Sequence, residues 1–162
     1  MIFKVSFKEA GNDYFKGVSK MGRITTVILK GVVKLPPFFH NIPKEIDEWM
    51  RSSKKVELYE NVANNTLIVF STGVAKCRED DKYDSLLGER LAEARAKYCI
   101  YKFFYDLTFK LYEYYDRILF GDKGVVDSGS GSCIASDMRK YEGLCIRESH
   151  HIGELLKSKN NG

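Results

Sequence analysis

The chain has 162 residues, 44% of them hydrophobic and 13% aromatic, and a formal net charge of +4. That length holds one domain with a genuine core, and that composition excludes a disordered tail. No uncharged apolar run reaches the roughly 18 residues that a membrane helix needs, and the opening MIFKVSFK alternates like a strand instead of forming an apolar leader. The four cysteines, at 77, 99, 133 and 145, are scattered like reduced thiols, so the expected setting is a cytoplasm.

Charge is uneven along the chain. Residues 1–55 carry eleven Lys/Arg against five Asp/Glu, a surplus that suits an anionic partner or a solvated sheet face. Ile2 to Phe7 reads as an imperfect strand, Gly11-Asn12-Asp13 as a turn, and Tyr14 to Ser19 as a returning strand. After a second turn at Met21-Gly22-Arg23, the β-branched run Arg23 to Leu35 predicts a strand, with Gly31 a bulge or a close-contact site. Pro36-Pro37 ends it. Pro43 to Arg51 predicts a short helix whose Ile46, Trp49 and Met50 share one face, to lie on the sheet. Lys55 to Glu60 and Thr66 to Lys76, joined through Asn64-Asn65, form a hairpin.

From Asp84, a candidate N-cap, the pattern turns helical and nothing breaks it before Gly121. A helix over 85–120 would run about 54 Å, so it bends or projects towards a partner. One stripe runs from Leu87 through Leu91, Ala94, Tyr98, Tyr101, Tyr105, Thr108, Tyr112 and Tyr115 to Leu119. A second holds Ile100, Phe104, Leu107, Leu111, Tyr114 and Ile118. Two stripes require two covers. The sheet is one; the C-terminal tail or a second subunit is the other, and a homodimer through helix 85–120 is the expectation. Gly88, Ala92 and Ala96 form a small-residue stripe that lets the helix approach the sheet closely. Residues 121–132 read as a Gly/Ser linker, followed by a helix near Ser136–Tyr141, a strand near Leu144–Arg147 and a last helical turn or two at His151–Lys157. The predicted fold is α+β: an antiparallel sheet of four to five strands on one long helix, plus a short helix. It occupies 1–120, with 121–162 a linker and small extension packing on the helix.

Candidate chemistry is sparse. Asp80, Asp81 and Asp84 form an acidic loop that suits the helix N-terminus, or Mg²⁺ in a nuclease, but no Glu-x-Lys pair on a matching strand and no nearby acid/base histidine accompanies them. Cys77, Cys133, Cys145, His150 and His151 lack the close pairing of a zinc site. The Gly-rich 121–132 lacks the lysine ending of a phosphate-binding loop, and no Ser/His/Asp or Cys/His set is legible. His40, after two prolines and beside Phe39, reads as a packed loop residue. No catalytic residue, metal or cofactor is assigned. Lys4, Lys8, Lys16, Lys20, Arg23, Lys30 and Lys34 alternate with Phe3, Phe7, Tyr14 and Phe15, as on a sheet that holds nucleotides or single-stranded nucleic acid. The candidate binding cations are Arg23, Lys30, Lys34, Lys76, Arg78, Arg90 and Arg95.

Gly73-Val74-Ala75-Lys76-Cys77, then Asp80-Asp81-x-Tyr83-Asp84, Gly88, and Leu91-Ala92-x-Ala94-Arg95-Ala96, resemble a motif in small proteins of phages and mobile elements. The resemblance implies antiparallel strands followed by this loop and a helix. It covers 73–96 only; the longer aromatic helix and the tail depart from it. It further implies an anti-defence protein, foremost an anti-CRISPR inhibitor that binds a Cas effector ribonucleoprotein or another host defence protein. Two other readings stand beside it: a sponge for a cyclic or ADP-ribose-type nucleotide, gripped by Arg23, Arg90 or Arg95, and a metal-dependent nuclease at the acidic loop.

Overall fold

The computed structural model describes residues 1–7, 16–79, 82, 84–120 and 129–160; the side chains of 117–120, 129–132 and 159–160 lie outside the description. The chain forms β1 (Val5–Ser6), β2 (Lys16–Met21), β3 (Ile24–Lys34), α1 (Lys44–Arg51), β4 (Val56–Asn61), β5 (Thr66–Lys76), α2 (Ser85–Phe120) and α3 (Gly129–Asn160). All strand pairings are antiparallel. β3 and β5 are the inner strands, β4 pairs with β5, and β1 and β2 share the far edge of β3. The α+β reading is therefore what the chain adopts.

Local chemistry explains the elements. The two-residue turn between β2 and β3 needs a left-handed backbone, supplied by Gly22 at φ +56°. The register of β3 on β5 runs unbroken past Gly31, so no bulge exists there; a Cβ on Gly31 would lie 2.9 Å from Val5 Cγ1, which makes it the close-contact site. Asp84 caps α2: its Oδ1 accepts from the N–H groups of Leu86 and Leu87 at 2.9 and 3.0 Å. Gly73 of β5 admits α2 against the sheet, with Ala92 and Ala96 fully buried above it.

α2 is one continuous helix, and the middle of its second stripe is covered within the chain. Ile100, Phe104, Leu107 and Leu111 are fully buried. The covering element is α3, which runs along α2 and sets Tyr141 on Phe104 at 5.4 Å between ring centroids. The expected strand at 144–147 is absent: Leu144–Arg147 is helical, as are Gly129–Ser132 of the expected linker, all within α3. A second subunit is not needed to shield that stripe. Residues 121–128 lie outside the described residues.

α1 lays its apolar face on the edge of the sheet, at β4, and on α2 as well. Trp49 is stacked on Phe103 at 5.5 Å and 5°, while Ile46 and Met50 enter the core. No helix among the described residues is long and apolar enough to cross a membrane.

Candidate interaction surface

Alternation sorts the side chains of the sheet onto two faces. On β3, Thr25, Val27, Leu29 and Val33 are buried under the helices, and Ile24, Thr26, Ile28, Lys30, Val32 and Lys34 point the other way. On β5, Leu67, Val69, Ser71 and Ala75 point in, and Ile68, Phe70, Thr72, Val74 and Lys76 point out. Among the described residues, no element covers the outer face.

Register makes the outer side chains neighbours. Ile24 lies between Met21 and Lys76, and Thr26 between Ser19 and Val74. Ile28 is opposite Thr72; Lys30 is opposite Phe70, which faces Glu57; Val32 is opposite Ile68, which faces Tyr59. Met21 is 77% exposed, Tyr59 55%, Ile28 49% and Val74 45%. A solvated antiparallel face ordinarily carries polar side chains. This one instead exposes Ile24, Ile28 and Val74 side by side around Thr26. Tyr59 meets Phe70 edge to face at 5.7 Å, and its hydroxyl donates to Glu57 Oε2 at 3.3 Å. A groove of about 740 Å³ starts at Ile28 and Phe70 and turns round the end of β4 past Lys54, Lys55 and Val56 to Cys99 of α2.

The predicted cations do not form one site. Lys30 lies within the outer face, beside Phe70, and Lys34 and Lys76 lie at its strand ends. Arg95 reaches from α2 to the edge of β5 and donates to the Val74 carbonyl at 2.5 Å. Arg23 donates to the carbonyl of Arg78, beside the strand–helix joint. Arg90 lies elsewhere, in a shallow pocket with Glu93, Glu148 and His151 between α2 and α3. Of the acidic loop, Asp84 is the helix cap; Asp80 and Asp81 lie outside the described residues. Among the described residues no group of three or more His, Cys, Asp or Glu is placed to hold a metal.

The proposed pairing of basic and aromatic residues in the first strands is corrected. Phe3 is buried against Phe38, Phe39 and Phe104, and Phe7 packs on Tyr101, so both are on the helix side. Lys16 also points that way and donates to Glu89 at 2.8 Å and Glu93 at 3.1 Å. These bonds hold the Lys16 ammonium above the ordinary lysine range. They hold Glu89 below the usual carboxylate range; Glu93 is also lowered, its burial being outweighed by bonds from Lys97 and Lys16. Lys8, Tyr14 and Phe15 lie outside the described residues.

A second, much smaller cavity at the joint, about 40 Å³, is lined by Arg23, Lys76, Lys82, Asp84, Leu87 and Leu155, among others. Ligand pockets take roughly 300 Å³ or more, several times this space.

The outer-face residues Ile24, Ile28, Tyr59, Phe70 and Val74 were not singled out by sequence reasoning. A partial signal was present: the outward alternating set of β3 holds Ile24, Ile28 and Val32 among Thr26, Lys30 and Lys34, more apolar than a solvated face usually is. Compared with known proteins, the chain matches no family model, no curated protein and no solved structure.

Proposed function

We propose that this chain is a binding protein that works by laying the outer face of its sheet on a protein partner. The observation that carries this reading is the aliphatic patch of Ile24, Ile28 and Val74 with lysines at its rim. Completing the burial of one half-exposed isoleucine is worth about 1 kcal/mol, so Ile24, Ile28 and Val74 together offset only part of the roughly 4–15 kcal/mol that association costs, and the rest of the interface supplies the remainder. The patch is aliphatic more than aromatic, which suits a protein surface better than stacked bases. The lysine rim favours a partner whose own rim is acidic and speeds the encounter.

The setting we propose is the cytoplasm of a bacterial host, where the chain acts as a phage anti-defence protein and inhibits a Cas effector stoichiometrically. This setting rests on the likeness of residues 73–96 to small phage proteins. The test is the plaquing of a CRISPR-targeted phage on immune hosts of several CRISPR types that express the chain. Plaquing is expected to recover in one type, with the chain co-eluting with that effector. Full immunity in every host would sink the anti-CRISPR reading. A thermal shift with a cyclic nucleotide, or chelator-sensitive DNA cleavage, would move the function to the sponge or the nuclease.

A further inference from the structure

β5 is longer than its neighbour. β4 ends at Val56, opposite Ser71, and Thr72–Lys76 runs on with β3 on one side and, among the described residues, no strand on the other. The N–H of Cys77 donates to Arg23 of the β3 side at 2.9 Å, so by alternation the backbone groups of Thr72, Val74 and Lys76 point off the open edge. The Val74 carbonyl agrees, since it is the one Arg95 caps. The 740 Å³ groove turns round this notch, with Lys54 and Lys55 at its wall and Glu57 as its acid, already engaged by Tyr59.

We propose that Thr72–Lys76 is a docking edge for an extended acidic segment of a partner protein, which joins the sheet as a sixth strand. This deepens the binding reading above and rests on it. The backbone groups of Thr72, Val74 and Lys76 that face the open edge supply affinity once Arg95 releases the Val74 carbonyl. Outward side chains of the incoming strand lie beside Val74 and Thr72, and its carboxylates meet Lys54, Lys55 and the guanidinium that leaves Val74. A second copy of this chain is disfavoured as occupant, because two such edges would bring Lys54, Lys55 and Lys76 against their own kind. Arg95 serves as a latch that keeps the edge from pairing indiscriminately.

The test uses the full chain and an end-capped peptide of eight residues alternating Glu and Val, with a Lys–Val peptide and single-stranded oligothymidine as comparisons. The Glu–Val peptide is expected to bind and to slow amide exchange at Thr72 and Val74 at least tenfold. Reversing charge with Lys54→Glu and Lys55→Glu should weaken it at least tenfold. Thr72→Pro, tolerated on an edge, should abolish it; if that variant does not fold, the lysine pair still decides. Equal binding of both peptides, or no slowing within 72–76, overturns the proposal, and slowing there by oligothymidine transfers the edge to nucleic acid. A chain that takes the peptide but leaves phage immunity intact keeps the edge and loses the anti-defence reading. The reverse result keeps that reading and loses the edge.

Discussion

Gly73 lies so close beneath Ala92 that a Cβ built on it would sit 1.8 Å from the Ala92 carbonyl oxygen and 2.8 Å from the Ala96 nitrogen. Both obstacles are helix backbone, which no rotamer change can move. The contact seats α2 on β5 and thereby sets one face of the sheet under the helices and the other towards solvent. Gly73→Ala should force the helix off the sheet and cost about 3 kcal/mol or more. Urea denaturation measures it; a loss under about 0.5 kcal/mol would mean the helix is not seated there.

The chain's first residues are held by its last helix. Asp137, 1% exposed, accepts from the N–H groups of Ile2 at 2.5 Å and Phe3 at 2.8 Å, and the Tyr141 hydroxyl donates to the Phe3 carbonyl at 2.6 Å. Burial, first, and the nearby Asp137 carboxylate raise the Tyr141 phenol far above its ordinary value, so it stays a donor. Tyr141→Phe orphans one carbonyl and should cost about 1–2 kcal/mol; Asp137→Ala orphans two N–H groups and should cost about 3 kcal/mol. Thermal unfolding reads both, and unchanged midpoints would contradict the clamp.

Most of the sheet was readable because β-branched runs and turn residues act locally. The run from Ile24 to Lys34 and the cap at Asp84 need no distant partner to be recognised. α3 was harder to see. Gly129, Gly131, Gly143 and Gly153 and its serines are weak helix formers, and its stability comes from packing Ile134, Tyr141 and Leu144 on α2. The spacing of Ile134, Asp137, Tyr141, Leu144, Ile152 and Leu155 is helical throughout, but a buried aspartate interrupts the apolar signal. The cations misled for a related reason: residue type says nothing of facing, and Lys16 and Lys30, alike in sequence, lie on opposite faces of the sheet.

Lys16 ties β2 to α2 through Glu89 and Glu93, with all three side chains less than a quarter exposed. The signs follow from the directions of shift. The raised Lys16 contributes stability below about pH 10 that is lost as pH rises through its folded value, and the lowered Glu89 contributes above about pH 4 what is lost as pH falls. Lys16→Met should therefore cost about 1 kcal/mol at pH 7 and nearly nothing at pH 2, where the carboxylates are neutral. Denaturation midpoints at the two pH values check it; an equal loss at both would show that packing, not charge, is what Lys16 supplies.

Cys133 is exposed near the start of α3, whereas Cys145 is half-buried against α2, and burial pushes its thiol up to about 11. Its thiolate fraction at neutral pH is then about 100-fold or more below that of an ordinary cysteine. Ellman's reagent on the native protein should modify Cys133 first and Cys145 last, as peptide mapping would show. Early labelling of Cys145 would mean that α3 lifts from α2.

One measurement bears most directly on the outer face as the contact surface: plaquing of a CRISPR-targeted phage on hosts making Ile28→Glu or Ile146→Glu. Ile28 stands in the sheet patch and Ile146 is exposed on α3, so both charges are tolerated by the fold. If the chain protects as proposed above, Ile28→Glu is expected to lose that protection by about 100-fold or more, the cost of a buried, unpaired charge at an interface, while Ile146→Glu keeps it. Protection by Ile28→Glu equal to that of the unchanged chain would contradict the account.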